Sequence, residues 1–210
     1  MRFAREGYPR IFILGLITLI LNLLGYETTS LFFLMFTLFV AFFFRDPERT
    51  APADDRLILA PADGRVVTIE ENLNEERFLS APATRIGIFM SPLNVHVNRM
   101  PVTGRIISVQ YKRGKFRPAF ATSATEVNEQ NAVTIEDALG RRLVLVQVAG
   151  MLARRIVCRM RGGERVRRGQ RYGMIMLGSR VDLYCSPAIE LKVQVGQRVK
   201  AGETVVGIYL

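Results

Sequence analysis

At 210 residues and 49% hydrophobic content the chain can bury one good-sized core and still carry an appendage. Two cysteines and one histidine exclude a disulfide framework and form no zinc-ligand pattern, so the chemistry is expected to be metal-free. The net charge of +10 suits nucleic acid, anionic lipid or an acidic small substrate, and no nucleic-acid motif is present.

The hydrophobicity is concentrated at the N-terminus. Runs from Ile11 to Leu24 and from Leu31 to Phe44 are separated by the turn-rich hexapeptide Gly25 to Ser30. Each run makes about 21 Å of helix, short of the roughly 30 Å of a hydrocarbon core. The pattern predicts a helical hairpin that either dips into one leaflet or spans by recruiting flanking residues. Arg2, Arg5, Arg10 and Arg45 flank it and only Glu27 lies in its loop, which predicts that both ends are cytoplasmic and that the site is the cytoplasmic side of the cell membrane. No small-residue cleavage site comes after Leu24, and a second apolar run does, which argues against a signal peptide. Basic charge beside a membrane segment favours anionic lipid, at about 1 kcal/mol per basic group near such a surface.

Arg45 to Pro52 is polar and holds two prolines, so the boundary is placed there: a membrane-associated hairpin over 1–44 and a soluble domain over 45–210. From Leu57 onward, short β-branched runs alternate with Gly, Pro and Asn turns, at Gly64–Ile69, Arg85–Met90, Gly104–Val109, Ala132–Ile135 and Leu143–Val148. Their length and spacing predict a mainly β domain with little helix. The one helix expected in it lies around Met151 to Cys158. Gly163-Glu164-Arg165-Val166-Arg167-Arg168-Gly169 returns as Gly196-Gln197-Arg198-Val199-Lys200-Ala201-Gly202. Two such turns, with Pro61-Ala62-Asp63-Gly64 of similar character, suggest a barrel-sandwich with pseudo-symmetric halves, the architecture of biotinyl and lipoyl carriers.

Three residues stand out as candidates for chemistry: Asp63, His96 and Ser179. Each has a plain explanation. Asp before Gly is a standard turn, a lone histidine is commonly a packed residue, and Gly178-Ser179 occurs in many loops. What links them is a resemblance. Arg45-Asp46-Pro47-Glu48-Arg49 after an apolar hairpin, Pro61-Ala62-Asp63-Gly64, Ser91 to Pro101 around His96, Asn128-Glu129-Gln130-Asn131 and Gly178-Ser179-Arg180-Val181-Asp182 stand in the order and spacing of phosphatidylserine decarboxylase proenzymes. From about Arg45 to the C-terminus the chain resembles the short form of that family.

The resemblance implies that Ser179 is a cofactor precursor. Its Oγ would attack the Gly178 carbonyl to give an ester; β-elimination would then split the chain. Tautomerisation and hydrolysis would leave a covalent pyruvoyl group on a 32-residue α chain, with Met1 to Gly178 as the β chain. Such a carbonyl is the electron sink that decarboxylation needs and no ordinary side chain supplies. His96 matches the family histidine of the decarboxylation step. Asp63 matches the aspartate that, in the longer enzymes, works with a second histidine three residues after the first. That position is Arg99 here, and an arginine cannot act as a general base. Arg99, Lys115 and Arg180 are the candidates for binding the substrate's phosphodiester and carboxylate. The implied partners are a phospholipid and a membrane surface, with a homodimer expected by analogy and no nucleic acid. The competing reading is a membrane-tethered biotinyl- or lipoyl-like carrier without catalysis, which needs an exposed lysine at a hairpin tip, and Lys192 is its candidate.

Overall fold

A computed structural model describes the chain except residues 1, 76, 118–123, 152–154 and 177. The chain divides into two compact units, Met1–Glu48 and Arg49–Leu210.

The first unit is a pair of helices, α1 (Gly7–Leu23) and α2 (Glu27–Phe43). Their near-continuous Leu, Ile and Phe content carries each helix, and Gly25, at φ +78°, makes the reversal between them. Ser30 Oγ donates to the Thr18 carbonyl at 3.1 Å, and Thr18 and Thr37 hydroxyls meet at 3.4 Å, so polar side chains along the apolar runs pair within the hairpin. The two ends are joined by Ala4 N–H to Phe44 O and Asp46 N–H to Arg2 O, both 2.8 Å. Gly7 has no side chain because a Cβ there would come within 2.5 Å of Phe44 Cβ. Phe12, Leu23, Leu31 and Phe32 are exposed. At 17 residues each helix is about 25 Å long. Among the described residues no helix is long and apolar enough to cross a membrane.

The second unit is mainly β. In chain order its strands are β1 (Leu57–Leu59), β2 (Gly64–Glu75), β3 (Ala81–Met90), β4 (Val97–Arg99), β5 (Gly104–Lys112), β6 (Gln130–Glu136), β7 (Arg142–Val148), β8 (Ile156–Cys158), β9 (Arg165–Val166), β10 (Arg171–Ile175), β11 (Ser179–Cys185), β12 (Ile189–Leu191), β13 (Arg198–Val199) and β14 (Val205–Tyr209). Among the described residues a single short helix, α3 (Ala124–Val127), precedes β6. An eight-stranded antiparallel sheet runs β13-β2-β3-β11-β7-β6-β5-β9, and two three-stranded sheets, β1-β14-β12 and β4-β10-β8, complete the unit. One face of the large sheet supplies Val66, Ile86, Ile88, Leu145, Val181 and Leu183 to the main core, joined by Ile58, Tyr172, Ile175 and Val206 from the small sheets.

The recurrent Gly-x-Arg-Val-x-x-Gly segments each form a turn and a two-residue strand on equivalent partners: β9 on the start of β5, β13 on the start of β2. The pseudo-symmetry extends to hydrogen bonds. Leu59 N–H donates to Pro101 O at 3.1 Å, and Arg99 N–H donates to Pro61 O at 2.9 Å. Gly202 N–H reaches Ala60 O at 2.9 Å as Gly169 N–H reaches Met100 O at 2.8 Å. Asp63 Oδ1 accepts from Ala201 N–H at 2.8 Å, and Thr103 Oγ1 accepts from Arg168 N–H at 3.2 Å. The second half thus repeats the first with Met100-Pro101-Val102-Thr103-Gly104-Arg105 in place of Ala60-Pro61-Ala62-Asp63-Gly64-Arg65.

The helix expected around Met151 to Cys158 is corrected. Ile156, Val157 and Cys158 pair with Ile175, Met174 and Gly173 as strand β8, while 152–154 lie outside the described residues. Three residues are too few to display a strand's period, and the β-branched pair Ile156-Val157 takes the extended form its ladder partners reward.

Candidate active site

Strand β11 lies in the middle of the large sheet, its residues paired to β3 and to β7, and every one of them is buried. Ser179 is its first residue. The Ser179 hydroxyl is fully buried and has no hydrogen-bond partner among the described residues, an arrangement costing on the order of 1–3 kcal/mol that a packing serine would avoid. Gly178 before it stands at φ +62° with open space where a Cβ would be. Glycine is therefore required by the backbone conformation and not by crowding.

His96 reaches the same end of the sheet from β3. Met90, the last residue of β3, is the cross-strand partner of Ser179, and the chain turns through Ser91–Asn94 into Val95 and His96. The Ser91-Asn94 turn is closed by Asn94 Oδ1, which accepts from Ser91 N–H at 2.9 Å and from its hydroxyl at 2.8 Å. His96 is completely buried, with Nδ1 at 2.9 Å from the Asn94 carbonyl. A carbonyl only accepts, so Nδ1 carries the proton and Nε2 is the basic nitrogen of the neutral ring. Strand β4 comes directly after and pairs with β10, which leads into Gly178. Two chain connections therefore bring His96 and Ser179 to one end of the unit.

Arg99 ends β4, and its N–H donates to the carbonyl of Pro61, two residues before Asp63. Asp63 Oδ2 accepts from Arg49 at 2.9 Å, and Arg49 also holds Glu203 at 3.1 Å; the Arg49 side chain is 9% exposed and that of Asp63 11%. Arg99 donates from Nη1 to the Gly169 carbonyl at 3.0 Å, and its Cδ would lie 2.9 Å from a Cβ at Gly202. Arg180 points to the other face of the sheet from Ser179, as alternation along β11 requires. There its Nε donates to Asp182 Oδ1, and Asp182 Oδ2 accepts from the Thr125 hydroxyl at 2.7 Å. Gly87 leaves room for this guanidinium, since a Cβ there would clash with Nη2 at 2.4 Å. Lys115 is exposed; its backbone pairs with Asn128, whose buried amide ties Arg117 to the Ala149 carbonyl.

A run of side-chain amides crosses the interior beneath Ser179. Asn131 Nδ2 donates to Gln147 Oε1 at 3.2 Å, Gln147 Nε2 donates to Asn98 Oδ1 at 2.9 Å and to the Val157 carbonyl at 3.4 Å, and Asn98 Nδ2 donates to Met90 Sδ at 3.6 Å. Nearby, burial pushes the Tyr172 hydroxyl well above its ordinary pKa and raises the Cys158 thiol, so both are neutral.

A sequence model of the family described as "Phosphatidylserine decarboxylase" matches residues 36–207. The chain is 47% identical over 209 residues to the phosphatidylserine decarboxylase proenzyme of Geotalea uraniireducens, covering 98% of this chain and 95% of the relative. It is 48% identical over 204 residues to that of Syntrophotalea carbinolica, at 97% and 95% coverage, and 48% over 210 residues to that of Geobacter sulfurreducens, at 98% and 95%. The chain belongs to the phosphatidylserine decarboxylase family. As a member it is a decarboxylase, and the proenzyme form of its relatives implies self-processing.

Family membership does not favour the carrier reading. Lys192 does not occupy a hairpin tip: its N–H donates to Val206 O at 3.0 Å, and the turn beyond it is closed by Gln197 N–H on Gln194 O. Its ammonium pairs with Glu190. Sequence reasoning misses Arg49, Asn98 and Gln147 as individual residues. Arg49 stands in the Arg45–Arg49 stretch that carries the resemblance, where its charge is the available signal; nothing local marks Gln147, whose partners come from three other strands.

Proposed function

We propose that this enzyme converts phosphatidylserine to phosphatidylethanolamine and carbon dioxide, using a pyruvoyl group formed from its own Ser179. What carries the reading is the buried Ser179 hydroxyl, unpartnered among the described residues, directly after a left-handed Gly178, in a chain of this family. That arrangement fits a serine destined to be consumed. A hydroxyl without a hydrogen-bond partner loses nothing on turning to the preceding carbonyl, and the glycine's conformation is one the chain can leave after the bond breaks.

Ser179 Oγ adds to the Gly178 carbonyl carbon as its proton passes to a base; the tetrahedral oxyanion collapses and expels the Ser179 nitrogen, which gains a proton, leaving an ester. Loss of the Ser179 Cα proton and cleavage of the Cβ–O bond release Gly178 as a carboxylate and leave dehydroalanine. Its enamine tautomerises, and water releases ammonia and forms the ketone. A pyruvoyl ketone held at Ser179 would supply the electron sink that decarboxylation of the substrate amine requires. His96, with Nε2 as its basic nitrogen, delivers the proton to the substrate Cα. Asp63 is ion-paired with Arg49, and Arg99 occupies the place of the family's second histidine as a fixed cation. Lys115 joins Arg99 in the set proposed for the serine head group, which ester and ether lipids share, whereas Arg180, buried on the other face of the sheet against Asp182, is left out of it.

The hairpin is proposed to lie in the cell membrane with the catalytic unit on its cytoplasmic side. Its exposed Phe12, Leu23, Leu31 and Phe32 support this, since apolar side chains at that density need a non-aqueous cover, and the lipid substrate resides there. The test is carbon dioxide release from phosphatidylserine vesicles by the full-length protein. Ser179→Ala should release none and remain one chain, and His96→Ala should lose turnover. An unsplit Ser179→Ala protein that still decarboxylates the lipid would overturn the reading.

A further inference from the structure

The amide run beneath Ser179 has a fixed polarity. The Val157 carbonyl can only accept, so the Gln147 nitrogen must face it, and that same nitrogen faces Asn98. Asn98 is therefore obliged to turn its oxygen to Gln147 and its Nδ2 donor the other way, onto Met90. Gln147 Oε1 receives Asn131, which closes the run from behind. Gly173 makes the crossing feasible: it is the ladder partner of both Asn98 and Cys158, and a Cβ there would come within 2.1 Å of the Val157 oxygen and 3.0 Å of Gln147 Nε2. Four strands and one glycine are thus arranged so that a single amide presents a donor at the Met90 end.

That donor is weakly used. A thioether is a poor acceptor, Asn98 is fully buried, and a strong neutral acceptor would be the expected partner for a buried amide. Met90 is the cross-strand partner of Ser179, which puts their Cα atoms about 4.5–5.5 Å apart. We propose that the Asn98 carboxamide is a further catalytic residue of self-cleavage, donating from Nδ2 to the oxyanion that forms on the Gly178 carbonyl oxygen when Ser179 Oγ adds to it. Gln147 is its positioning residue. This role for Asn98 rests on Ser179 being the residue that cleaves the chain. In the addition the carbonyl π pair moves onto oxygen, and the negative charge appears where no charged group is needed to meet it. A preorganised amide buried in the interior is effective there.

The experiment tracks splitting of the full 210-residue chain made by cell-free translation, sampled over time on a denaturing gel. Asn98→Ala and Asn98→Ser are compared, both checked for a cooperative thermal transition. They differ by one hydroxyl donor and remove nearly the same volume. The Ala variant should split roughly 100-fold or more slowly than the parent, and the Ser variant several-fold faster than Ala. Hydroxylamine, which cleaves an ester, should not rescue the Ala variant, because the step before the ester is the one impaired. An Ala variant that splits within a few-fold of the parent overturns the proposal; so does a Ser variant no faster than Ala, or full rescue by hydroxylamine. A parent chain that never splits would instead refute the role of Ser179.

Discussion

In the proposed cleavage Gly178 and Ser179 divide one task between backbone and side chain. The glycine holds φ +62° with no neighbour near its missing Cβ among the described residues, so Gly178→Ala meets no clash with them. Its cost is conformational, about 1–2 kcal/mol for holding an L-residue in the left-handed region. The chain can relieve that strain by leaving the region, which turns the Gly178 carbonyl away from Ser179 Oγ. Gly178→Ala should therefore keep its fold and split more slowly, as a gel time course would show; splitting at the parental rate would mean the left-handed turn has no part in cleavage. The serine itself is legible in the sequence, through its place in a series of motifs. Asn98 is not legible as a donor, because the direction of its amide is decided by Val157, Gln147 and Gly173 on other strands, and no local pattern encodes that.

Among the elements, the two glycine-bounded turns explain a residue that sequence alone leaves ambiguous. Asp63 Oδ1 does what Thr103 Oγ1 does in the other half, closing a turn on a backbone N–H. What Asp63 has and Thr103 lacks is a charge, and Arg49 binds it from the segment ahead of β1. Both side chains are about nine-tenths buried, so removing the cation strands a carboxylate. Arg49→Gln is expected to lower stability by about 2–3 kcal/mol and Arg49→Lys by less, read from urea unfolding midpoints. Equal midpoints for Arg49→Gln and the parent would show that the pair contributes little. The turn repeats and the five longer strand segments can be read from glycine spacing and β-branched runs. The short strand β8 cannot, since Ile156–Cys158 is defined by pairing with β10 and not by any period of its own. The hairpin is the most legible element, because two long apolar runs with one glycine-containing break leave few alternatives.

At the scale of the catalytic unit, the segment that would become the α chain is woven through it. β11 is central in the large sheet, β13 pairs with β2 at its edge, and β12 and β14 form a small sheet with β1. Breaking the bond before Ser179 leaves these ladders intact, so the two chains should stay together until denatured. The same burial gives the unit an alkaline limit. Burial pushes the Cys185 thiol up to about 12 and raises Cys158, while in the unfolded chain a thiol titrates near 8.5. The folded state thus holds these protons after the unfolded state has lost them. Their contribution is complete below about pH 8.5 and is lost as pH rises through the folded values, with a slope of about 1.4 kcal/mol per pH unit for each thiol. Tyr172, Tyr184 and Tyr209, also raised chiefly by burial, add to the fall at higher pH. Unfolding midpoints should decline above about pH 8.5, and Cys185→Ala should make the decline shallower; an unchanged slope in that variant would place the effect elsewhere.

The central claim is that Ser179 is converted and the chain is cut before it. Intact mass spectrometry of the purified, denatured protein tests this most directly. The prediction is two chains, Met1–Gly178 and a fragment of 32 residues, the latter lighter than its sequence mass by the loss of one ammonia and refractory to Edman degradation. A single chain of 210 residues in a preparation that decarboxylates phosphatidylserine, or a small fragment beginning with an ordinary serine amine, would contradict it.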